Sequence, residues 1–228
     1  MITGIIGAMT VETDAIKSLV KDQRTERVSG VDFVIGKIGG HDVVVAQCGV
    51  GKVFAAICAQ TMITKFGAQR IINSGVAGTL CEELGLLDMA ISTSVVQHDM
   101  DTTPLGDPPG LISGIDIVNI PADEKLGDSI ESAARALDMN CVRGVIASGD
   151  QFVGDSEKKK YIRDTFGAIA CEMEGAAIGH VCYVNGVDFA VIRCISDNAD
   201  DSAGTMEYPE LCKIAAQRSQ KLIEKLFE

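Results

Sequence analysis

An α/β fold, with a largely parallel sheet and helices on both of its faces, is predicted by three features of this 228-residue sequence. Short β-rich runs alternate with longer stretches of helical spacing, the pattern of strands joined by helical crossovers. No low-complexity tract or Pro/Ser-rich linker divides the chain, so residues 1–228 are expected to form a single domain. The ends of the strand candidates carry glycines and acids, and in sheets of this kind ligands bind beyond the carboxyl ends of the strands.

The elements follow in order. "ITGIIGAM" reads as a buried strand, and "TVETDAIKSLVKD" follows at helical spacing. "FVIGKI" and "DVVVAQCGVG" read as strands joined by a turn at Gly39-Gly40, and "KVFAAICAQTMITKF" as an apolar helix. "RIINSGVAG", "MAISTSVVQ" and "VRGVIASGD" are further strands. The stretch from Asp99 to Gly114, with Pro104, Pro108 and Pro109, is a long loop of the kind that is usually functional or disordered. "AIACEMEGAAIGHVCYVNG" begins as a strand and continues as a helix capped by Gly186, and "DFAVIRCISDNAD" is a strand running into a polar loop. From Pro209 a closing amphipathic helix is expected to turn Leu211, Ile214, Ala215, Leu222, Ile223 and Leu226 to one face.

A formal charge of −12 argues against nucleic acid or an anionic membrane as partner, since both carry the same sign. No apolar run reaches the length of a membrane span, and the opening "MITGIIGAM" lacks the basic region of a signal peptide. The eight cysteines are scattered singly with no C-x-x-C pair, so reduced thiols in a cytoplasmic protein are expected. Three histidines offer no metal-ligand cluster, and neither a metal nor a cofactor is expected.

Six segments carry candidate chemistry. In "GIIGAMTVE", Thr10 is a plausible N-cap that places Glu12 in the first helical turn, as a surface acid or as a general base beside the strand end. "GVGK", with Val50, and "NSGVAG", with Ala77 and Gly78, read as glycine loops that pack tightly or let backbone approach a ligand. Neither matches the phosphate-binding pattern G-x-x-x-x-G-K-[ST]. Phe152 in "SGDQFV" packs in the core or stacks on a flat ligand. In "CEMEGAA", Glu172 and Glu174 decorate a helix start or offer two acceptors to the vicinal hydroxyls of a ribose, with Met173 as a soft wall between them. In "RCISDNAD", Arg193, Ser196 and Asp197 leave an apolar strand, where an acid either caps a turn or donates a proton.

The ordered set "GIIGAM" with Glu12, "GVGK", "NSGVAG", "SGDQF", "EMEGAA" and R-x-x-SD resembles the nucleoside phosphorylase/hydrolase superfamily over nearly the whole chain. Within it the set is most similar to the 5′-methylthioadenosine/S-adenosylhomocysteine nucleosidases. The resemblance implies a three-layer α/β/α subunit with a mixed, largely parallel sheet that forms a homodimer. It also implies hydrolysis of an N-glycosidic bond to adenine and a thioribose. By position, Glu12 then resembles the base that activates water, Arg193 a residue near that water, and Asp197 the acid that protonates adenine N7, with Ser196 orienting it. Glu174, Met173, Glu172 and Met9 match the ribose side, and Ala8 lines the sugar as well. Phe152, Val153, Ala77 and Gly78 match the adenine side. Val50, Tyr208 and Leu105 match the pocket for the 5′-alkylthio group, which a loop of the partner subunit, here residues 99–114, closes in the family.

Two departures stand out. Val76 occupies a position where many relatives carry Ser, and the proline-rich loop lacks an aromatic residue. Phosphate-using relatives present a Gly-Asp-Pro-x-Arg loop where this chain has "GAMTVE", so water is the expected nucleophile. The other readings are a phosphorylase of the same fold, a catalytically silent nucleoside sensor, and a broader hydrolase that also takes aminodeoxyfutalosine.

Overall fold

The computed structural model describes residues 1–200 and 208–228. Strand β1 (Thr3–Gly7) feeds helix α1 (Thr10–Lys17). A meander follows: β2 (Lys21–Val28), β3 (Val31–Ile38) and β4 (His41–Gln47), with the β3–β4 turn at Gly39-Gly40 as expected. Helix α2 (Lys52–Thr64) leads to β5 (Arg70–Thr79) and β6 (Met89–Gln97), and a short 3-10 turn (Thr103–Leu105) sits in the long loop. Then come β7 (Ile120–Pro121), α3 (Glu124–Ala136), β8 (Cys141–Ser148), α4 (Ser156–Phe166) and β9 (Ala168–Glu172). Helix α5 (Gly175–Asn185), β10 (Asp188–Asp197) and α6 (Tyr208–Leu226) complete the chain.

The sheet is mixed. β1 lies parallel between β4 and β5, β5 is parallel to β10, and β8 is parallel to both β6 and β9. β10 also pairs antiparallel with β6, and β9 antiparallel with the end of β5. These pairings return to their start, so β5, β10, β6, β8 and β9 close into a ring, with β1, β4, β3 and β2 extending from it. Apolar side chains cover both surfaces, because each face of a two-sided buried sheet must remove its side chains from water. Ala55, Cys58 and Met62 of α2 and Ala177, Ile178 and Cys182 of α5 seal one face. Ile16 of α1, Leu126 and Ile130 of α3, and Leu222 and Ile223 of α6 seal the other.

Several expectations need correction. The helical reading ran through Asp22, but α1 ends at Lys17 and Lys21–Val28 is a strand. Its charged, exposed sequence suits a sheet edge that must not recruit another chain. Met9, not Thr10, is the N-cap of α1. "NSGVAG" lies inside β5 and forms no loop. Helices α3 and α4 had no counterpart in the sequence reading. Each starts at an aspartate whose side chain accepts a backbone N–H three residues on, Asp123 from Leu126 and Asp155 from Lys158. In α6 the inward residues are Cys212, Ala215, Ala216, Ser219, Leu222 and Ile223, a face built partly of small residues, and Ile214 points out. α5 ends at Gly186 in the left-handed region, as expected.

Candidate active site

The carboxyl ends of β1, β8, β9 and β10, the end of β5 and the turn after β4 surround a cavity of about 190 Å³. Glu12 enters it from the first turn of α1. Its Oε2 accepts the N–H groups of Ala8 (2.9 Å) and Met9 (2.8 Å), and its Oε1 that of Val76 (3.0 Å). Helix α1 thus uses its third residue to satisfy its own first N–H, which aims the carboxylate back at the strand ends. Burial raises the Glu12 pKa, opposed by the Met9 N–H, by the Arg193 charge, and by the Val76 and Ala8 N–H groups. Such a carboxylate is more basic than an exposed one, the property required to take a proton from water. The approach depends on two glycines in β5. A Cβ at Gly75 would stand 2.8 Å from Glu12 Oε1, and one at Gly78 would stand 2.7 Å from Asp197 Oδ1.

Glu172 and Glu174 flank the β9–α5 junction and differ in occupation. Both oxygens of Glu172 are engaged. One takes the Ser148 hydroxyl, the other the Arg193 guanidinium, and the N–H groups of Glu174 and Gly175 complete the set. Ser148 in turn accepts the Ala176 N–H at 2.7 Å. Glu172 therefore anchors the start of α5, and it also lines the cavity. Among the described residues, Glu174 accepts only the Gly51 N–H at 2.9 Å, with Arg193 3.9 Å from its other oxygen. Burial, followed by the charge of Glu172, lifts the Glu174 pKa to about 7. Met173, between them, lines the cavity, as do Met9 and Ala8 opposite.

Arg193 does not reach the cavity. It is 1% exposed and lies behind the wall, ion-paired to Glu172 and donating to the Asn73 carbonyl and side chain. Its position makes it the buried positive charge that counters three carboxylates, Glu172, Glu174 and Glu12. Asn73, which also donates to the Ile6 carbonyl at 2.9 Å, and Ser148 were missed by the sequence reading. Asn73 is a buried polar residue inside the apolar strand β5 and Ser148 the last residue of β8, and that was the available signal.

At the other end Asp197 closes β10. Its Oδ2 accepts the Ser196 hydroxyl and its Oδ1 the Ala199 N–H, each at 2.9 Å, so its carboxyl plane is fixed. Phe152, Val153, Ala77 and Gly78 line the same end, and Phe152 meets Tyr208 edge-on with centroids 5.9 Å apart. Val50 and Tyr208 line the mouth, whereas Leu105 is 83% exposed and outside the cavity of its own chain. Gln151 and Cys171 add to the lining unanticipated. Among the described residues, no Lys or Arg lines the cavity and no His/Cys/Asp/Glu cluster suits a metal.

Comparison with known proteins agrees with this geometry. The sequence is 38% identical over 251 residues to the 5′-methylthioadenosine/S-adenosylhomocysteine nucleosidase of Treponema pallidum (strain Nichols), covering 100% of this chain and 93% of that protein. The fold superimposes with a TM-score of 0.94 on a mutant of the Helicobacter pylori nucleosidase of the same name holding 5′-methylthioadenosine in its active site, at 36% identity and covering 98% and 96% of the two chains. A futalosine hydrolase mutant of Helicobacter pylori strain 26695 matches equally, with a TM-score of 0.94, 35% identity and 99% and 98% coverage. The profile of the phosphorylase superfamily matches residues 2–228, and the chain belongs to that superfamily.

Proposed function

We propose that this chain is a nucleosidase that hydrolyses the N-glycosidic bond of 5′-methylthioadenosine and S-adenosylhomocysteine to adenine and the 5′-thioribose. The observation that carries the reading is the presence of two acids in the lining of one cavity, Glu12 held by three backbone N–H groups and Asp197 fixed by Ser196 and Ala199. Glycosidic cleavage places positive charge on the sugar and negative charge on the purine. As the C1′–N9 bond breaks, its electron pair goes to the purine and Asp197 delivers a proton to N7. Water adds to C1′ and gives a proton to Glu12. Glu174 accepts from the ribose hydroxyls and Met173 walls the sugar, while Phe152 stacks on the base and Val153 reads its edge.

The absence of a lining cation among the described residues favours water over phosphate, whose oxygens require Arg, Lys or a helix N-terminus. A second substrate class, futalosine-type nucleosides, is favoured by the equal structural match to the Helicobacter pylori futalosine hydrolase mutant. A homodimer fits the exposed apolar side of α2, where Val53, Phe54 and Ile57 continue the mouth residue Val50, and the 99–114 loop would cover the partner's mouth with Leu105. The whole chain acts as one domain in this reading. Its place is the cytoplasm, where eight unbridged cysteines are stable, and its output serves methionine salvage.

The test is adenine release from 5′-methylthioadenosine with and without phosphate, with the sugar product identified. Free methylthioribose at equal rates in both buffers supports the hydrolase. A sugar 1-phosphate formed only with phosphate would make the protein a phosphorylase, and binding without adenine release would make it a sensor.

A further inference from the structure

The ribose end and the base end of the cavity are tied together by a ring of hydrogen bonds that lies outside the lining. The Lys52 backbone N–H donates to Asp150 Oδ1 at 2.8 Å, and the Asp150 N–H donates to Asp99 Oδ2 at 2.9 Å. Asp99 Oδ1 accepts from Lys52 Nζ at 2.6 Å, which closes the ring, and Nζ also donates to Gln97 Oε1 at 3.2 Å. The Lys52–Asp99 pair is mostly buried, with side chains 19% and 16% exposed, so it is screened less than a surface pair. Three segments meet here: the turn after β4, the start of the 99–114 loop after β6, and the turn after β8.

Each member adjoins a residue of the site. Gly51, immediately before Lys52, donates to Glu174 Oε1, and Val50 lines the mouth. Gln151 and Phe152, immediately after Asp150, line the base end. The joint is tight: Gly51 has φ 101°, and a Cβ there would stand 3.0 Å from Asp150 Oδ1. Neither Glu12 nor Asp197 belongs to the ring.

We propose that Asp99, Lys52 and Asp150 form a positioning clasp that fixes the distance between the Gly51–Glu174 ribose contact and the Phe152 stacking wall, and so sets nucleoside affinity without taking part in bond cleavage. The clasp rests on the function proposed above. Because it holds groups that bind the ground state and the transition state alike, its loss acts on KM.

The experiment is steady-state hydrolysis of 5′-methylthioadenosine by Asp99→Ala, Lys52→Met and the double variant, with calorimetric titration of adenine on the same proteins. Asp99→Asn serves in place of Asp99→Ala if the latter does not fold. The expected result is a KM raised about tenfold with kcat within about twofold, the signature of lost uniform binding. The double variant is expected to be no worse than the worse single one, since both substitutions open one ring. A variant that merely folds in lower yield would show reduced apparent kcat at unchanged KM, and that result would overturn the clasp, as would additive effects. If the unaltered protein releases no adenine, the functional reading fails instead. The clasp is then judged by adenine affinity alone, which must weaken in Asp99→Ala for the proposal to stand.

Discussion

The sugar end and the mouth of the cavity are built by opposite means. At the sugar end Glu12 and Glu174 are 4% and 6% exposed and their oxygens are held by backbone N–H groups from the turn after β1, from β5 and from the turn after β4. Val50 at the mouth is 50% exposed and Phe152 at the base end 54%, with side chains that nothing on the sugar-end pattern fixes. Backbone donors cannot be removed by changing a side chain, so the sugar end is preorganised for charge, as electrostatic catalysis requires. The mouth is left to side-chain packing and therefore to selectivity.

The largest effect that would break this comparison is expected from the acids themselves. Glu12→Gln and Asp197→Asn should each lower kcat by roughly 10²- to 10⁴-fold, the range for general acid–base groups, in single-turnover adenine release. Near-normal turnover in a folded variant would remove that residue from the chemistry.

A smaller effect is expected from pH. Glu174 must be ionised to accept from hydroxyls, so kcat/KM should fall as pH drops below about 7, and Glu174→Gln should lose that limb. Stability should move the other way. The folded protein holds the Glu174 proton to about 7 against an ordinary 4.5, so it binds more protons than the unfolded chain between those values. Denaturant midpoints should therefore decline as pH rises through that window. A midpoint flat from pH 5 to 7 in the unaltered protein, matched by Glu174→Gln, would show that the carboxyl is not held protonated by its burial.

The smallest effects belong to the mouth. Phe152→Ala should weaken adenine binding by about 1–3 kcal/mol, the usual value of base–aromatic stacking, measured by calorimetry. Leu105→Ala should leave adenine affinity unchanged and alter only KM values for substrates with different 5′ substituents. A loss of adenine affinity in Leu105→Ala would place that loop over the base and erase the distinction between the two ends.

Much of the fold was legible because its central strands are continuous apolar runs with glycine at their exits. The exceptions share a cause. β2 is a polar edge strand whose "KDQRTERV" has no apolar face to give its period away. α3 and α4 are charged on their outer sides and reveal themselves chiefly by aspartate caps, a weaker signal than a stripe of large apolar residues. At the site, the cavity gathers most of the residues that the motifs suggested, because motifs record which strand ends carry unusual residues. They do not record direction. Glu172 and Glu174 are two apart and chemically identical and both line the cavity, yet only the three-dimensional positions of Ser148 and Arg193 determine that both oxygens of Glu172 are hydrogen-bonded within the protein. Arg193 itself looked like a site residue because it leads the R-x-x-SD motif, and in the fold its guanidinium is engaged by Glu172 and Asn73 behind the lining.

The closed ring of strands has a consequence for synthesis. β10 completes it by pairing with β5, whose partners lie 118 positions or more earlier (Asp188 with Arg70), and with β6. Contacts this distant in sequence form late and slowly. Until Asp188–Asp197 has left the ribosome, β5 and β6 present unpaired edges, and the acid opposite Glu12 does not yet exist. The nascent chain is thus at once catalytically incomplete and at its most prone to aggregate, and both conditions end with the docking of one strand.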